Sequence, residues 1–249
     1  MAAAMQSARP QGSEQSSGSE PDGVLDRVSC SDGTELLLHR RAGVFTIRVD
    51  GMELMSSRAH GSEEQLATLA LAGVGVEAAP SVMIGGLGMG FTLRAALDRL
   101  GAQARVVVVE LSLAVTRWCR GPLAELSGHS LDDPRVSLVV GDVAAVLEAR
   151  EAVWDAIVLD VDNGPDAVSV PGNEGLYSVA GLSRAAAALT PGGVLAVWSA
   201  GSSPRFVRAA RGAGLRVEER LVTARSSPGG PEHAVYLAFV RSGPLPGIG

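Results

Sequence analysis

The 249-residue sequence contains no lysine, because each of its 21 basic residues is an arginine. A Schiff-base lysine and the phosphate-binding lysine of a P-loop are therefore excluded. Cysteine is almost as scarce: Cys30 and Cys119 are the only two and stand far apart, so the sequence favours neither a disulfide framework nor a zinc site. The four histidines are equally scattered, and we expect no metal cofactor.

The sequence also lacks an apolar run long enough to cross a membrane, and no apolar signal segment stands near its first residues. A net charge of −6 disfavours a nucleic acid or an anionic membrane as partner. Hydrophobic residues are plentiful at 46%, against 19% charged residues, which is enough to bury a sizeable core. We therefore expect a soluble, cytoplasmic protein.

Composition divides the chain into three parts. Residues 1–22 are rich in Ser, Gly, Gln, Glu and Pro and predict a disordered tail. Residues 23–60 predict a small N-terminal β-segment with a hairpin turn at Ala42-Gly43. Because an isolated hairpin is marginal unless it packs on something, a homodimer formed through this segment is plausible. Residues 61–249 form the third part, an α/β domain.

Strands and helices alternate regularly through this third part. Short apolar runs such as RVVVVE and DAIVLDV are typical of strands that are buried on both faces. They predict strands over 81–85, 104–110, 135–140, 154–160 and 193–199, with two closing strands over 215–221 and 234–241. Such alternation predicts a Rossmann-like, mostly parallel, doubly wound sheet whose ligands bind at the carboxyl ends of the strands.

A glycine string follows the first of these strands and opens a helix. Gly86, Gly88 and Gly90 would allow a tight turn and let a ligand approach the backbone and the helix N-terminus. Glu110 stands twenty residues past Gly90, at the end of the next strand, where an acid commonly accepts hydrogen bonds from ribose hydroxyls. This arrangement predicts a nucleoside-type ligand but does not distinguish NAD from adenosylmethionine.

Acidic residues follow the next two strands. Asp142 stands where a carboxylate could accept from an adenine amino group, and Asp160, Asp162 and Asn163 form an acidic turn after the fourth strand. Asp162 has an alternative interpretation as a plain turn residue, because Asp-Asn-Gly-Pro favours a turn by itself.

Several short motifs stand in a fixed order along the chain: the glycine string, Val109-Glu110, Asp132-Asp133-Pro134-Arg135, Gly141-Asp142, the acidic turn at Asp160 and Pro191-Gly192-Gly193. In this order, and with the β-segment before them, they resemble the spermidine/spermine synthase (polyamine aminopropyltransferase) family. The resemblance runs from about residue 32 to 241 and implies the class I methyltransferase fold.

The resemblance implies a transferase that moves an aminopropyl group from decarboxylated S-adenosylmethionine to an amine acceptor. Asp160 would match the family's catalytic aspartate, which deprotonates or orients the amine. Glu110 would bind the ribose, Asp142 the adenine, and the glycine loop the sulfonium side chain.

Further residues are candidates for the acceptor site. Asp162 and Asn163 would face the acceptor, Tyr177 lies in a loop that could close over the site, and Glu64 opens the first helix. Each has a structural alternative: Tyr177 could pack at a helix start, and Glu63 and Glu64 could simply be charges in a first helical turn.

The sequence departs from the family where the polyamine would bind. The aspartate of the family's glycine loop is replaced by Gly88 or Met89, and the family's Tyr-His-acid motif reads Ser62-Glu63-Glu64. Two alternatives therefore stay open: a methyl- or aminocarboxypropyltransferase that uses intact S-adenosylmethionine, and a non-catalytic nucleoside-binding protein.

Overall fold

The computed structural model describes residues 22–30, 33–74, 79–149, 152–161, 164–166, 175–224 and 231–240. The predicted tail, apart from Asp22, lies outside these ranges, as do Asp162 and Asn163. The elements are, in chain order, β1 Gly23–Ser29, β2 Glu35–Arg41, β3 Val44–Val49, β4 Met52–Ser56, α1 Gly61–Ala70, β5 Ser81–Gly85, α2 Phe91–Leu97, β6 Arg105–Glu110, α3 Leu113–Arg120, β7 Val136–Val140, α4 Val143–Glu148, β8 Trp154–Leu159, α5 Val179–Ala188, β9 Leu189–Ser199, α6 Pro204–Gly212, β10 Leu215–Thr223 and β11 Glu232–Val240. Within the described ranges, none of the helices is long and apolar enough to span a bilayer.

The N-terminal strands form a four-stranded antiparallel sheet in the order β1-β2-β3-β4. Side chains alternate along β2 and β3, which places Leu36, Leu38, Phe45 and Ile47 on one face, in the core shared with the rest of the chain. The indole of Trp118 adds a polar anchor, since it donates to Asp26 in β1 at 2.7 Å. The rest of the chain thus covers the apolar face of the hairpin. The hairpin therefore does not need a second copy of the chain to pack on, and the homodimer stays a prediction.

The second sheet has seven strands in the order β10-β11-β9-β8-β5-β6-β7. Strands β9, β8, β5, β6 and β7 run parallel, and β11 and β10 join them antiparallel. The chain starts at β5, adds β6 and β7 on one side, and then returns to add β8 on the other. The predicted doubly wound α/β fold is confirmed, and its topological switch point lies between β5 and β8, where such folds bind ligands.

Helices cover both faces of this sheet. On one face α1, α2 and α3 pack together with the N-terminal sheet, and on the other face α4, α5 and α6 bury a second apolar cluster. The most deeply buried side chains include Ile84 and Val158 in the first cluster and Ile157 and Leu159 in the second. Strands β5 and β8 are therefore enclosed on both faces, and only their ends are open to a ligand.

Two elements differ from the sequence-based expectation. Strand β1 was not foreseen, and β9 begins at Leu189 rather than at 193. The early part of β9 pairs Leu189 with Trp154, after which the register shifts, and Gly192 adopts a φ of 87° within that irregularity. A strand that is bulged around Pro-Gly-Gly looks like a loop in the sequence.

A hydrogen-bonded ion pair closes the end of α2. The Arg135 guanidinium donates to Asp133 through Nε at 2.9 Å and a terminal nitrogen at 2.7 Å, and to the carbonyls of Leu97 and Leu100. These hydrogen bonds hold the pKa of the Asp133 carboxyl at about 2, below its ordinary 3.8. A depressed pKa stabilises the fold above the ordinary value, and this contribution disappears as the pH falls towards 2.

We expect Asp133→Asn to lower the free energy of unfolding by about 1–3 kcal/mol at pH 6, because one partner of a largely buried pair is removed. The difference from the original protein should shrink between pH 4 and pH 2, as protonation removes the same interaction. Urea unfolding across this pH range measures both effects. Asp132→Asn, which changes the same charge at an exposed neighbour, is the control, and an equal loss in the two variants would contradict the prediction.

Candidate active site

The glycine loop connects β5 to α2 at the switch point of the sheet. Gly86, Gly88 and Gly90 have φ angles of 88°, 53° and 86°, in the left-handed region that glycine tolerates. Leu87 and Met89 between them are buried and anchor the loop in the core. The loop therefore exposes mainly backbone at the carboxyl end of β5, and ligand binding there stays a prediction.

The tightest point of this loop is Gly86. A Cβ at this residue would lie 2.1 Å from the carbonyl oxygen of Asp160, so the ends of β5 and β8 touch through their backbones. The Asp160 N–H also donates to the carbonyl of Gly85 at 2.8 Å. These two backbone contacts hold Asp160 directly beside the glycine loop.

Glu110 ends the neighbouring strand β6 and is buried. Its Oε2 accepts the Leu87 N–H at 2.9 Å, and its Oε1 accepts the Ser112 N–H at 2.7 Å. Burial raises the pKa of this carboxyl, while the backbone N–H groups act against that shift. The backbone N–H groups of Gly88 and Leu111 also act on this carboxylate, so Glu110 ties the glycine loop to the end of β6.

Asp142 lies at the next strand end. The Gly141 N–H donates to the carbonyl of Glu110 at 2.9 Å, which brings the end of β7 beside that of β6. The Asp142 Oδ1 caps α4 by accepting the Ala144 N–H at 2.8 Å, and the residue is exposed. One oxygen of this carboxylate therefore serves the helix start, and the other carboxylate oxygen has no bond within the described residues.

Exposed aliphatic side chains accompany these two acids, and the sequence analysis did not single them out. Leu111 and Leu113 follow β6 with exposed fractions of 72% and 66%, and Val140 at the end of β7 is 45% exposed. An apolar edge of this kind is suited to cover one face of a flat ring.

Asp160 follows β8 and lies directly beside the glycine loop. It is half-buried, and its Oδ2 accepts the Thr92 hydroxyl proton at 2.5 Å. Burial raises the pKa of the Asp160 carboxyl to about 7, the negative charge of Glu63 adds to this, and the Thr92 hydrogen bond acts against it. Such a carboxylate accepts a proton and releases it again near neutral pH.

Two of the proposed acceptor residues lie elsewhere. Glu64 is exposed, pairs with His60 at 2.8 Å, and lines a groove of about 690 Å³ between α1 and α2 together with Arg94. Tyr177 is buried at the start of α5, edge-on to Phe206 at 6.1 Å between ring centroids. Both stay predictions as acceptor ligands, and Asp162 and Asn163 lie outside the described residues.

Glu63 and Thr92 are site residues that the sequence analysis missed. Glu63 is half-buried and its charge acts on Asp160, whereas its neighbour Glu64 lines the groove. The signal was present in the helical periodicity, because Leu66, Ala67 and Ala70, which are buried in α1 together with Ser62, follow Glu63 by three, four and seven residues. Counting along this face of α1 would have favoured Glu63 over Glu64 as a residue of the site.

A family model and several curated proteins are similar to this chain, and all of them concern polyamine synthesis enzymes. Residues 64–204 match the family model of the spermine/spermidine synthase domain. The polyamine aminopropyltransferase of Mycobacterium tuberculosis (strain ATCC 25618 / H37Rv) is 31% identical over 193 residues, which covers 74% of this chain and 35% of that protein. Polyamine aminopropyltransferase 1 of Streptomyces coelicolor is 37% identical over 128 residues, covering 51% of this chain and 23% of the relative. The chain thus spans about a third or less of these curated relatives.

Solved structures agree on the fold. A spermidine synthase from Thermotoga maritima superposes with a TM-score of 0.67 at 20% identity, covering 87% of this chain and 72% of that one. A spermidine synthase in complex with the transition-state analogue AdoDATO gives 0.70 at 19% identity, covering 87% and 73%. At this level of identity the likeness establishes the shared fold.

Proposed function

Because the chain belongs to the spermine/spermidine synthase family, we propose that it moves an aminopropyl group from decarboxylated S-adenosylmethionine to an amine acceptor. The observation that carries the proposal is Asp160, a half-buried carboxylate beside the glycine loop whose pKa is raised to about 7. A group with this pKa takes a proton from an ammonium ion and returns it to water near neutral pH.

The donor binds across the carboxyl ends of β5, β6 and β7. The backbone of residues 86–90 faces its sulfonium side chain, Glu110 accepts from its ribose hydroxyls, and Asp142 accepts from its adenine amino group. Support comes from the place of Glu110 at the end of β6 beside the glycine loop, the second oxygen of Asp142 and the exposed aliphatic edge at Leu111. This arrangement leaves the carbon beside the sulfonium near Asp160.

The reaction then needs a neutral amine held in line with that carbon. Asp160 removes one proton from the acceptor ammonium, and the freed nitrogen lone pair attacks the carbon beside the sulfonium. The carbon–nitrogen bond forms while the carbon–sulfur bond breaks, and the bonding pair returns to sulfur as neutral methylthioadenosine. The aminopropylated product leaves, and Asp160 releases its proton to water.

Mass spectrometry of the nucleoside product tests the proposal. Purified protein is incubated with decarboxylated or intact S-adenosylmethionine and a panel of amines. Methylthioadenosine formed only from the decarboxylated donor, with a matching mass gain on one amine, supports aminopropyl transfer. S-adenosylhomocysteine from the intact donor would overturn it in favour of methyl transfer, and methylthioadenosine from that donor in favour of aminocarboxypropyl transfer. Donor binding without any product would favour a nucleoside-binding protein.

The pH dependence of turnover provides a second prediction. Since Asp160 must be ionised to accept a proton, kcat/KM for the amine should fall as the pH drops below about 7. Thr92→Val removes a hydrogen bond to the charged form and should move this acidic limb upward by about one pH unit. Titration of the amine itself is common to both proteins, so their difference isolates Asp160.

The matched control for Thr92 lies at the other end of β8, where Thr190 donates to Asp155 at 2.8 Å. Thr190→Val removes a comparable hydrogen bond but should leave the acidic limb in place. A Thr92→Val profile that coincides with that of Thr190→Val would contradict a role for Asp160 as the proton acceptor.

A further inference from the structure

Glu63 begins a chain of hydrogen bonds that crosses from α1 to β11. The hydroxyl of Ser62, which is fully buried, donates to the Glu63 Oε2 at 2.6 Å. Its oxygen lies 2.9 Å from Nδ1 of His233. Since a serine has one proton to donate and gives it to Glu63, the His233 Nδ1–H donates to Ser62. The carboxylate is thereby held in one orientation.

The other end of this series of hydrogen bonds, at His233, is fixed as well. Burial lowers the pKa of His233, so the imidazole is neutral at physiological pH and keeps its proton on Nδ1. The ring of Trp198 packs edge-on against His233 with 4.8 Å between centroids. The start of α1 is also tied to the end of β10, because Gly61 donates to the carbonyl of Ala224 at 2.9 Å. Glu63 thus stands on a rigid support of three elements.

The support holds Glu63 where its charge is unfavourable. His60 at the start of α1 stacks on Phe91 with 4.0 Å between ring centroids, and Thr92, the next residue, donates to Asp160 at 2.5 Å. The start of α1 therefore lies against the helix start that binds Asp160, where the charge of Glu63 opposes the ionisation of Asp160. Within the described residues, no arginine forms an ion pair with either carboxylate. Burial raises the pKa of Glu63, and its hydrogen bonds and His60 offset only part of that shift. A cation between the two carboxylates would relieve the repulsion.

We propose that Glu63 is a second carboxylate for the acceptor ammonium, held by Ser62 and His233, and that it shares this ammonium with Asp160. The assignment rests on the proposed function and adds an acceptor-binding residue to it. An ammonium ion has three protons to donate, so it binds both carboxylates at once. Glu63 then keeps the nitrogen in line with the donor carbon while Asp160 takes the proton, and Ser62 and His233 are positioning residues.

The test compares Glu63→Gln with Glu148→Gln, which makes the same change of charge at an exposed glutamate at the end of α4. For Glu63→Gln we expect the KM of a diamine acceptor to rise about tenfold, with the affinity for methylthioadenosine unchanged. Ser62→Ala should raise the amine KM by a smaller factor, about threefold, because it frees the carboxylate without removing it. Glu148→Gln should leave both values within twofold of the original protein.

The pH profile separates this role from a merely structural one. The titratable groups around Glu63 are His60 and Glu64 on its own helix, Asp160 after β8 and, through Ser62, His233 on β11. Loss of the Glu63 charge should move the acidic limb of kcat/KM to lower pH, and loss of the Glu148 charge should not. Equal profiles and equal amine KM values in the two variants would overturn the proposal.

Calorimetric titration of the diamine into the protein–methylthioadenosine complex keeps the two proposals apart. If the original protein binds the amine and Glu63→Gln binds it about tenfold more weakly, Glu63 is an amine ligand even where no turnover is found. If turnover is normal but both variants bind the amine like the original protein, the role of Glu63 is wrong and the proposed function stands.

Discussion

Asp160→Asn is expected to lower amine-dependent release of methylthioadenosine by about 10²–10⁴-fold, the range that a general base contributes. An amide has nearly the shape of the carboxyl group and still accepts the Thr92 hydroxyl proton, but it does not take a proton from an ammonium ion. The affinity for methylthioadenosine should stay within about threefold, because the donor is held by the loop and by Glu110. Single-turnover rates and calorimetry measure the two quantities.

Stability provides the control for this variant. A buried carboxyl whose pKa is raised from 3.8 to about 7 binds its proton more tightly in the folded state, so it costs stability increasingly as the pH rises from 4 to above 7. Asp160→Asn removes this cost and should be at least as stable as the original protein at pH 8. Turnover that survives the substitution in a stable variant would remove Asp160 from the mechanism.

The second large effect is expected at Gly86. Gly86→Ala should lower the free energy of unfolding by more than about 3 kcal/mol, since a Cβ 2.1 Å from the Asp160 carbonyl oxygen forces the ends of β5 and β8 apart. The cost of the left-handed φ is only about 1–2 kcal/mol of this. Urea unfolding measures the loss, and donor affinity should fall with it because the loop is displaced.

Gly192 separates the two contributions. Its φ of 87° matches the 88° of Gly86, and a Cβ there would have no atom within 4 Å. Gly192→Ala therefore reports the backbone cost alone, and we expect a loss of about 1–2 kcal/mol. Similar losses in the two variants would mean that the contact between β5 and β8 is softer than the structure indicates.

The sequence predicted the central sheet well because its strands are buried on both faces. Strands β5, β6 and β8 contain the apolar runs VMI, VVVV and AIVL, and each run ends at a glycine or an acidic residue. The carboxyl ends of these strands, and the residues on them, could therefore be predicted from the sequence. Strand β1 contains Asp26 and Arg27 in its centre and depends on distant partners, Trp118 and Glu35, which local patterns do not reveal.

The same contrast applies to the site. Asp160, Glu110 and the glycines follow strand ends, and the register of a parallel sheet places such residues side by side. Glu63 comes from a helix that reaches the site by packing, and its orientation is set by His233, 170 positions away in the chain. Choosing between two adjacent glutamates required the face of α1, which is a property of tertiary packing.

The hydrogen bonds of Glu110 have a consequence for the entropy of donor binding. A free glutamate side chain loses rotational freedom when it is fixed by a ligand, and this loss weakens binding. In this protein the Leu87 and Ser112 N–H groups have already fixed both carboxylate oxygens as part of folding. Two ribose hydroxyls would therefore meet an acceptor that has little freedom left to lose, and more of their hydrogen-bond energy would appear as affinity.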